Sequence, residues 1–320
     1  MCRKFDRSEY INVLDMDMNI IDDTFAEAFS MYVARVLITA ANRRWALIAA
    51  RLATGFASSI IMCPCEAGIE CFVKPECTPD KRPGILVQFW HNDLAVLKQQ
   101  VIARISQVVL TCPTTAVFDG LPRVRRKITI GSVIAKFGDG FEVQDELYGR
   151  KIWKIPVMEG EFIIEDKVGV VKGVAGGNII ILSEDCKSAL SAAERAVKAI
   201  RRYCRRVITP FPGGICRAGS KVGSITYPKL KASTNHLYCP TLKEKLRDTK
   251  LLENVNCVYE IVINGLTLED VTQAMGIAIK AASISGVVKI TAGNYGGKLG
   301  PYKIYLKEAV EKVKDVDVSV

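Results

Sequence analysis

The sequence predicts an α+β protein made of two similar lobes, each a split βαβ sandwich, with extra antiparallel strands in addition. Three observations carry this prediction: a globular composition, apolar strands that alternate with amphipathic helices, and the same order of elements in both halves of the chain. Apolar residues make up 49% and charged residues 24% of the 320 residues, which is typical of folded domains and not of disordered chains. The length suits two domains.

The N-terminal half alternates β-branched apolar segments with amphipathic ones. Apolar residues spaced three and four apart, such as Leu94, Leu97, Val101 and Ile105, predict a helix. Uninterrupted β-branched runs predict strands. The predicted elements are a strand at residues 33–40, a helix at 44–54, a strand at 58–63 followed by a loop at 64–69, a strand at 85–93, a helix at 94–106 and a strand at 107–112.

The C-terminal half repeats this order, and "PGGI" at residues 212–215 matches "EAGI" at 66–69. Two strand–helix–strand units in succession form a split βαβ arrangement, so each lobe is predicted to be ferredoxin-like and the lobes to be related by an internal repeat. The predicted elements are a strand at residues 178–183, a helix at 188–201, a strand and loop at 205–215, a strand at 257–266, a helix at 268–282 and a strand at 286–293.

These patterns divide the chain into a proximal lobe at residues 18–163 and a distal lobe at 164–320. Residues 136–178 combine period-two stretches with glycine turns, which predicts the extra antiparallel strands that join the lobes. Residues 1–17 are charged throughout their first part. They are interpreted as an N-terminal extension, or as the product of a start codon assigned too early.

Charge and targeting signals narrow the classes of function. The net charge is +10, which suits nucleic acid or an anionic substrate. However, the basic clusters are not interleaved with aromatic residues as in single-strand binding faces, so solvated surface is favoured over nucleic acid. No apolar run is long enough to span a membrane, and the charged start does not resemble a secretory signal. A cytoplasmic protein with reduced thiols is therefore predicted.

Four cysteines at residues 63–77 raise the question of a metal site. Their spacing is C-x-C-x5-C-x5-C, whereas zinc sites favour paired C-x2-C ligands. The two histidines, His91 and His236, are distant in sequence. Cys63 ends an apolar run, as a buried strand residue does. No metal site is predicted, and a nucleophilic cysteine is disfavoured because no base or cation is adjacent in sequence.

Glu260 is the most informative residue because it lies inside the apolar run "VYEIVING". Burial disfavours the charged carboxylate, so a raised pKa is expected, and a neutral carboxylic acid near pH 7 is able to donate a proton. An outward-facing position or a structural ion pair explains the residue equally well. Three glycine-rich segments, at residues 173–178, 210–215 and 291–300, fit no nucleotide-binding pattern and are either simple turns or walls of a cleft.

An ordered series of motifs resembles one known family. They include "DTFAEAF" (23–29), "FGDG" (137–140), "DELYGRKIWKIPVMEGEFIIED" (145–166), "VYEIVINGL" (258–266) and "AGNYGGKLG" (292–300). The chain resembles the formylmethanofuran–tetrahydromethanopterin formyltransferases of archaeal one-carbon metabolism and methanogenesis. The resemblance implies transfer of a formyl group between these two co-substrates in a ternary complex. It also implies no bound metal or cofactor, and a homotetramer with active sites where subunits meet.

The resemblance also implies roles for single residues. Glu260 matches the proposed acid of the family, and Lys298 is placed to meet the acidic tails of the substrates. The oxyanion donor is left open between backbone N–H groups and asparagine amides. The substrate-binding candidates are Glu66, Asn92, Asn178, Asn235, Asn294 and Lys298. Two alternatives stay open, a subunit of a larger formyl-transferring and hydrolysing complex and a non-catalytic binding protein with a basic surface.

Overall fold

The computed structural model describes residues 18–219 and 221–318, so the predicted extension at residues 1–17 lies outside the described residues. Within them, thirteen strands form one large mixed sheet and two form a separate hairpin. The protein is therefore a mixed α/β protein. A 3-10 turn at Met18–Ile20 precedes the first strand.

The N-terminal half contains four strands and two main helices. In chain order these are β1 (Phe25–Thr39), α1 (Arg43–Ala53), β2 (Glu66–Val73), β3 (Gly84–His91), α2 (Leu94–Arg104) and β4 (Ala116–Asp119). The strands lie in the spatial order β2-β3-β1-β4, and each is antiparallel to its neighbours. A 3-10 turn at Pro75–Cys77 lies in the connection between β2 and β3.

The middle of the chain adds strands to the edge of this half. Its elements are β5 (Lys127–Thr129), α3 (Gly131–Ile134), a 3-10 turn (Ala135–Gly138), β6 (Val143–Leu147), β7 (Arg150–Val157) and β8 (Gly160–Glu165). The last three strands form the antiparallel set expected for this segment. β8 extends the sheet by pairing in parallel with β4.

The C-terminal half has four core strands in the corresponding order. Its elements are β9 (Lys167–Ser183), α4 (Cys186–Tyr203), β10 (Val207–Ile208), β11 (Lys221–Val222), β12 (Ala232–Ser233), β13 (Cys257–Gly265), α5 (Leu268–Ala282), β14 (Val287–Thr291), β15 (Tyr302–Tyr305) and α6 (Leu306–Glu311). The spatial order is β10-β13-β9-β14, again antiparallel throughout. β11 and β12 form the separate hairpin. 3-10 turns lie at Pro212–Gly214, His236–Tyr238 and Pro240–Lys245.

The four long helices begin at polar residues that cap them. Asn42, Asp93, Asp185 and Thr267 stand immediately before α1, α2, α4 and α5. Each side chain accepts a hydrogen bond from a backbone N–H of the first helical turn, which otherwise has no partner within the helix. These caps fix where each helix begins after its strand.

The two long strands, β1 and β9, join the halves. Residues 29–34 of β1 pair with residues 170–175 of β9. Before this crossing, Ala26 and Ala28 of β1 are buried in the core of the C-terminal half. In the same way, Val168 and Val170 of β9 are buried in the core of the N-terminal half. The two cores therefore share strands, and the sheet is continuous between them.

The sheet of the C-terminal half has two different faces. Ile179, Ile181 and Ile261 face helices α4 and α5 and form the main core. The alternate residues Ile180 and Leu182 point to the other side, because successive side chains of a strand point to opposite faces. There they pack against Leu251 and Val255, which belong to the segment between β10 and β13. We call this second side the outer face.

Two predicted strands of the N-terminal half are wrong. Residues 58–63 form turns, and the strand is instead Glu66–Val73, whose first part (66–69) was predicted to be a loop. Residues 107–112 continue helix α2 through a π-helical turn at Ile105–Val109, and the strand follows at Ala116–Asp119. Short apolar runs do not distinguish a buried helical turn from a strand. The "PGGI" segment is a 3-10 turn and "EAGI" is a strand, so their sequence match does not mark corresponding positions.

Across residues 18–219 and 221–318, each helix is too short or too polar to cross a lipid bilayer.

Candidate active site

Glu260 lies in the middle of β13 with its side chain on the outer face. It stands opposite Ile180 of β9 and is only 3% exposed. Its backbone pairs with Cys216, whose N–H donates to the Glu260 carbonyl at 2.7 Å while the Glu260 N–H donates to the Cys216 carbonyl at 2.9 Å. A buried carboxyl group is costly unless hydrogen-bonded or paired. The outward-facing alternative considered for this residue is thus excluded.

A small pocket lies beside Glu260. Its volume is about 30 Å³, which is enough to hold at least one water molecule. Besides Glu260 it is lined mainly by the segment that covers the outer face, namely Cys216, Arg217, Ala218, Gly219, Asn235, Tyr238 and Cys239, together with Ile180 and Val258 of the sheet. The carboxyl group of Glu260 thus borders a small recess that is formed largely by the segment between β10 and β13.

Two tyrosines lie within electrostatic range of Glu260. Burial, then the charge of Asp22, raises the pKa of Tyr238, whose hydroxyl is hydrogen-bonded to Thr291, and Glu260 adds to the effect. Burial and then the charge of Glu260 raise the pKa of Tyr295. Both hydroxyls therefore stay protonated and able to donate at neutral pH. Neither tyrosine was predicted as a site residue.

The glycine-rich loop at residues 291–300 is held by Glu27. The carboxylate of Glu27, which is 1% exposed, accepts from the N–H groups of Tyr295 (2.7 Å), Gly297 (3.0 Å), Leu299 (2.5 Å) and Gly300. Burial alone raises the pKa of Glu27, but the four donors outweigh it, so the pKa lies below its usual value. The loop is an ordered wall, and the sequence prediction missed the residue that orders it.

Two of the predicted substrate-binding asparagines also hold this loop. The Oδ1 atom of Asn178 accepts from the Gly293 N–H at 2.6 Å, and its Nδ2 atom donates to the Gly293 carbonyl at 3.3 Å. The Nδ2 atom of Asn294 donates to the Phe25 carbonyl at 3.1 Å. The structure brings Asn178 and Asn294 together, with their amides engaged by the backbone.

Glu66 stands apart from the pocket of Glu260. It begins β2 and accepts from the Nδ2 atom of Asn264 at 2.6 Å and from the Ile60 N–H at 3.3 Å. Burial raises its pKa against the effect of both hydrogen bonds. Because Asn264 lies on β13, this bond ties the N-terminal half to the strand that carries Glu260.

The remaining candidates occupy different surroundings. Asn235 lines the same pocket as Glu260. Asn92, at the end of β3, and Lys298, in the glycine-rich loop, have exposed side chains. The structure thus groups Asn235 with Glu260 and leaves Asn92 and Lys298 facing solvent.

Of the four cysteines at residues 63–77, Cys63 and Cys65 precede β2, Cys71 lies within it and Cys77 follows it. Burial raises the pKa of Cys65 to about 11, so its thiol stays protonated at neutral pH. Cys63 lies in a turn and is partly exposed, contrary to its predicted position at the end of a buried strand. Among residues 18–219 and 221–318, no group of three or more His, Cys, Asp or Glu side chains is arranged to hold a metal ion.

Comparison with known proteins matches both halves of the chain to one family. Residues 14–157 match the family model described as formylmethanofuran-tetrahydromethanopterin formyltransferase. Residues 160–309 match the model described as its proximal lobe. The name proximal lobe thus belongs in this family to the C-terminal half, whereas the sequence-based prediction gave it to residues 18–163. The two models together span most of the chain.

Individual relatives of known sequence carry the same family name. The formylmethanofuran–tetrahydromethanopterin formyltransferase of Methanocaldococcus jannaschii is 55% identical over 91% of this chain and 98% of its own length. The protein of the same name from Methanopyrus kandleri is 54% identical over 90% of this chain and 97% of its own.

Solved structures agree as well. The formyltransferase from Methanosarcina barkeri superposes with a TM-score of 0.87 at 51% identity, covering 90% of this chain and 97% of that one. A chain of the formyltransferase/hydrolase complex of Methylorubrum extorquens, solved with methylofuran, gives a TM-score of 0.86 at 43% identity, covering 91% and 96%. This chain belongs to the formylmethanofuran–tetrahydromethanopterin formyltransferase family.

Proposed function

We propose that the chain transfers a formyl group reversibly between formylmethanofuran and N5 of tetrahydromethanopterin. The observation that carries the proposal is Glu260, a buried carboxyl group that lines a small pocket in a chain of the formyltransferase family. Relatives about half identical over nine-tenths of this chain bear the name of that activity.

The chemistry calls for a proton donor at the leaving nitrogen. A formamide is stabilised by resonance, and its amine leaves poorly. The pterin amine adds to the formyl carbon, and the carbonyl oxygen becomes an oxyanion. Glu260 then gives its proton to the methanofuran nitrogen as the C–N bond breaks, and the proton lost by the attacking amine restores the acid. A positioned general acid typically accelerates such a step by about 10²–10⁴-fold.

Donors for the oxyanion are available next to Glu260. Asn235 lines the same pocket, and the Tyr238 hydroxyl remains protonated because its pKa is raised. Preorganised donors of this kind stabilise charge as it develops in the transition state. Asn178 and Asn294 support the substrate through the glycine-rich wall, while Lys298, Asn92 and Glu66 act on parts of the substrate farther from the reacting carbon.

Direct transfer in a ternary complex suits a site in which the carboxyl group of Glu260 lines a small pocket. Holding the two amines in line supplies much of the rate gain, and no covalent formyl-enzyme is required. Transfer between two amines changes no oxidation state, so the proposal contains no redox cofactor, and the pterin and methanofuran act as co-substrates.

We further propose that each half of the chain is a ferredoxin-like lobe and that the halves are an internal repeat. Residues 18–163 and 164–320 form these lobes. The identical antiparallel strand order in the two halves supports this view. We also propose that the chain works in the cytoplasm as a homotetramer, built as a dimer of dimers.

The second candidate is a subunit of a larger complex with the same chemistry. The specific observation in its favour is the 43% identical chain of the Methylorubrum extorquens formyltransferase/hydrolase complex. A subunit of that kind needs partner chains for full activity, whereas the first proposal needs none. Activity of the purified chain therefore separates the two.

The test is a formyl-transfer assay with the purified chain, formylmethanofuran and tetrahydromethanopterin, following the formyl-pterin by absorbance. We expect sustained turnover, and a turnover at least about 10²-fold lower for Glu260→Gln. Glu194→Gln, at an exposed site on α4, is the matched control and should turn over like the unmodified protein. A folded chain without transfer contradicts the first proposal, and recovery on adding partner subunits favours the second.

A further inference from the structure

The segment between β10 and β13, residues 209–256, carries much of the positive charge of the protein. It contains eight lysines and arginines against three acidic residues, a net +5 of the chain's +10. We call it the covering segment, because its Leu251 and Val255 pack on the outer face that bears Glu260. Half of the net charge therefore belongs to the segment that packs on the face of the candidate active site.

The charge of the covering segment is not neutralised by the protein itself. Within the described residues, none of its eight cationic side chains forms an ion pair. In the N-terminal half, by contrast, Arg35 pairs with Glu70 and Lys127 with Asp119. Unpaired charges of one sign around a recess attract counter-ions and raise the local concentration of an anionic ligand.

Four of these cations lie in residues 217–231, which run from the lining of the pocket into the β11–β12 hairpin. Arg217 lines the pocket together with Glu260. Lys221 begins the β11–β12 hairpin, and its Nζ atom lies 3.0 Å from the Nδ1 atom of His236. Lys229 and Lys231 are exposed at the far part of this hairpin. The lysine ammonium is a donor only, so this contact holds the Lys221 side chain at the start of the hairpin.

We propose that Arg217, Lys221, Lys229 and Lys231 form a binding surface for carboxylate or phosphate groups that a substrate carries away from its reacting carbon. This inference rests on the proposed formyl transfer, because it assigns these residues to a substrate of that reaction. Binding energy from remote groups holds the reacting group in its small pocket. The surface thereby selects anionic forms of the substrate.

The kinetic test compares two double variants. Lys229→Gln/Lys231→Gln removes charge from the hairpin, and Lys187→Gln/Lys198→Gln removes the same charge from exposed positions on α4. At low ionic strength the first should raise KM for a co-substrate by roughly three- to tenfold with kcat unchanged, and should weaken the salt dependence of kcat/KM. The second should leave both unchanged. Equal KM and equal salt dependence in the two variants overturn the proposal.

A binding measurement keeps this proposal separate from the transfer reaction. Calorimetry measures the affinity of the chain for tripolyphosphate, for tri-glutamate and for a short DNA duplex. Binding of either small anion that is lost in Lys229→Gln/Lys231→Gln and kept in Lys187→Gln/Lys198→Gln supports the surface, even if no transfer occurs. The anion that binds identifies phosphate or carboxylate as the group recognised. Failure of both small anions to bind, equal loss in both variants, or tighter binding of the duplex overturns the proposal.

Discussion

The outer faces of the two halves differ at corresponding positions. In the N-terminal half, Leu37, Leu86 and Phe118 lie side by side on three strands, and in the C-terminal half the positions are taken by Ile180, Glu260 and Thr291. Leu86 precedes the helix cap Asp93 by the same number of residues as Glu260 precedes Thr267. The first half shows that this position accepts leucine, so the architecture does not require a carboxyl group there. This difference supports the proposal that Glu260 serves the formyl transfer.

The connections that cover the two faces differ as well. β2 and β3 are joined by residues 74–83, whereas β10 and β13 are joined by residues 209–256. The longer connection supplies most of the lining of the pocket beside Glu260. The half with the buried carboxyl group is thus also the half with an added cover, and the cover leaves the group only 3% exposed. Exclusion of water strengthens the electrostatic interactions inside such a site.

Glu260→Leu gives the outer face of the C-terminal half the leucine that the N-terminal half has at this position. Among these variants it should have the largest effect on formyl transfer. Transfer should fall by at least about 10²-fold, because the general acid is lost. The free energy of unfolding should stay the same or rise by about 1–3 kcal/mol, because a buried polar group gives way to an apolar one. Transfer assays and chemical denaturation check the two parts. Unaltered transfer, or loss of folding, breaks the comparison.

Glu27→Gln tests the loop that follows β14 in the C-terminal half. The carboxylate accepts hydrogen bonds at both oxygens, whereas a glutamine side chain turns an NH₂ group toward some of the same backbone N–H groups. Each backbone N–H left without an acceptor costs about 1–3 kcal/mol. We expect a lower free energy of unfolding and faster hydrogen exchange at residues 295–300.

The stability of Glu27→Gln should also depend on pH differently from that of the unmodified protein, in a direction set by the pKa of Glu27. The pKa of Glu27 is lowered in the folded protein, so its stabilisation is present above the unfolded value of about 4.3 and is lost as pH falls through the folded value. The unmodified protein should lose more stability on acidification than Glu27→Gln. Parallel curves of stability against pH speak against this account of the loop.

Leu86→Glu places a carboxyl group on the N-terminal outer face. This face lacks a long cover, and Leu86 is only partly buried, so we expect a loss of about 1–3 kcal/mol in the free energy of unfolding and no change in kcat. Leu86→Met, which keeps the volume and polarity, is the control and should cost less than about 1.5 kcal/mol. If Leu86→Glu is as stable as the control, burial of a carboxyl group on these faces is not costly.

Glu66→Gln should have the smallest effect on the stability of the protein, seen in how that stability depends on pH. The pKa of Glu66 is raised by burial, so its contribution to stability is full below the unfolded value of about 4.3 and declines as pH rises through the folded value. Glutamine does not ionise. The difference in Tm between pH 5 and pH 8 should therefore be smaller for Glu66→Gln than for the unmodified protein, and an equal difference contradicts the burial effect.

Long periodic elements were predictable from sequence, while irregular ones were not. The helix at residues 268–282 was located to the residue, because its apolar spacing and its flanks agree. Residues 58–63 and 107–112 were predicted as strands because apolar content alone does not reveal a turn. The covering segment lacks any period, so its packing on the outer face depends on tertiary contacts that no local pattern records.

A residue of the candidate site was predictable only where a polar side chain interrupts an apolar segment of the sequence. Glu260 was found because a glutamate interrupts an apolar strand, and the same argument applied to "FAEAF" finds Glu27 between Ala26 and Ala28. Tyr238 and Tyr295 gave no such signal, since tyrosine is common on surfaces and in cores alike. Their position beside Glu260 follows from the path of the covering segment and of the glycine-rich loop.

The most direct test of the central claim, that Glu260 is the proton donor of formyl transfer, is the dependence of kcat on pH for the unmodified protein and for Glu260→Gln. A required acid makes kcat fall as pH rises through a single ionisation. We predict this fall for the unmodified protein and a low rate without it for Glu260→Gln. The same fall at the same pH in both proteins assigns the proton to another group and contradicts the account.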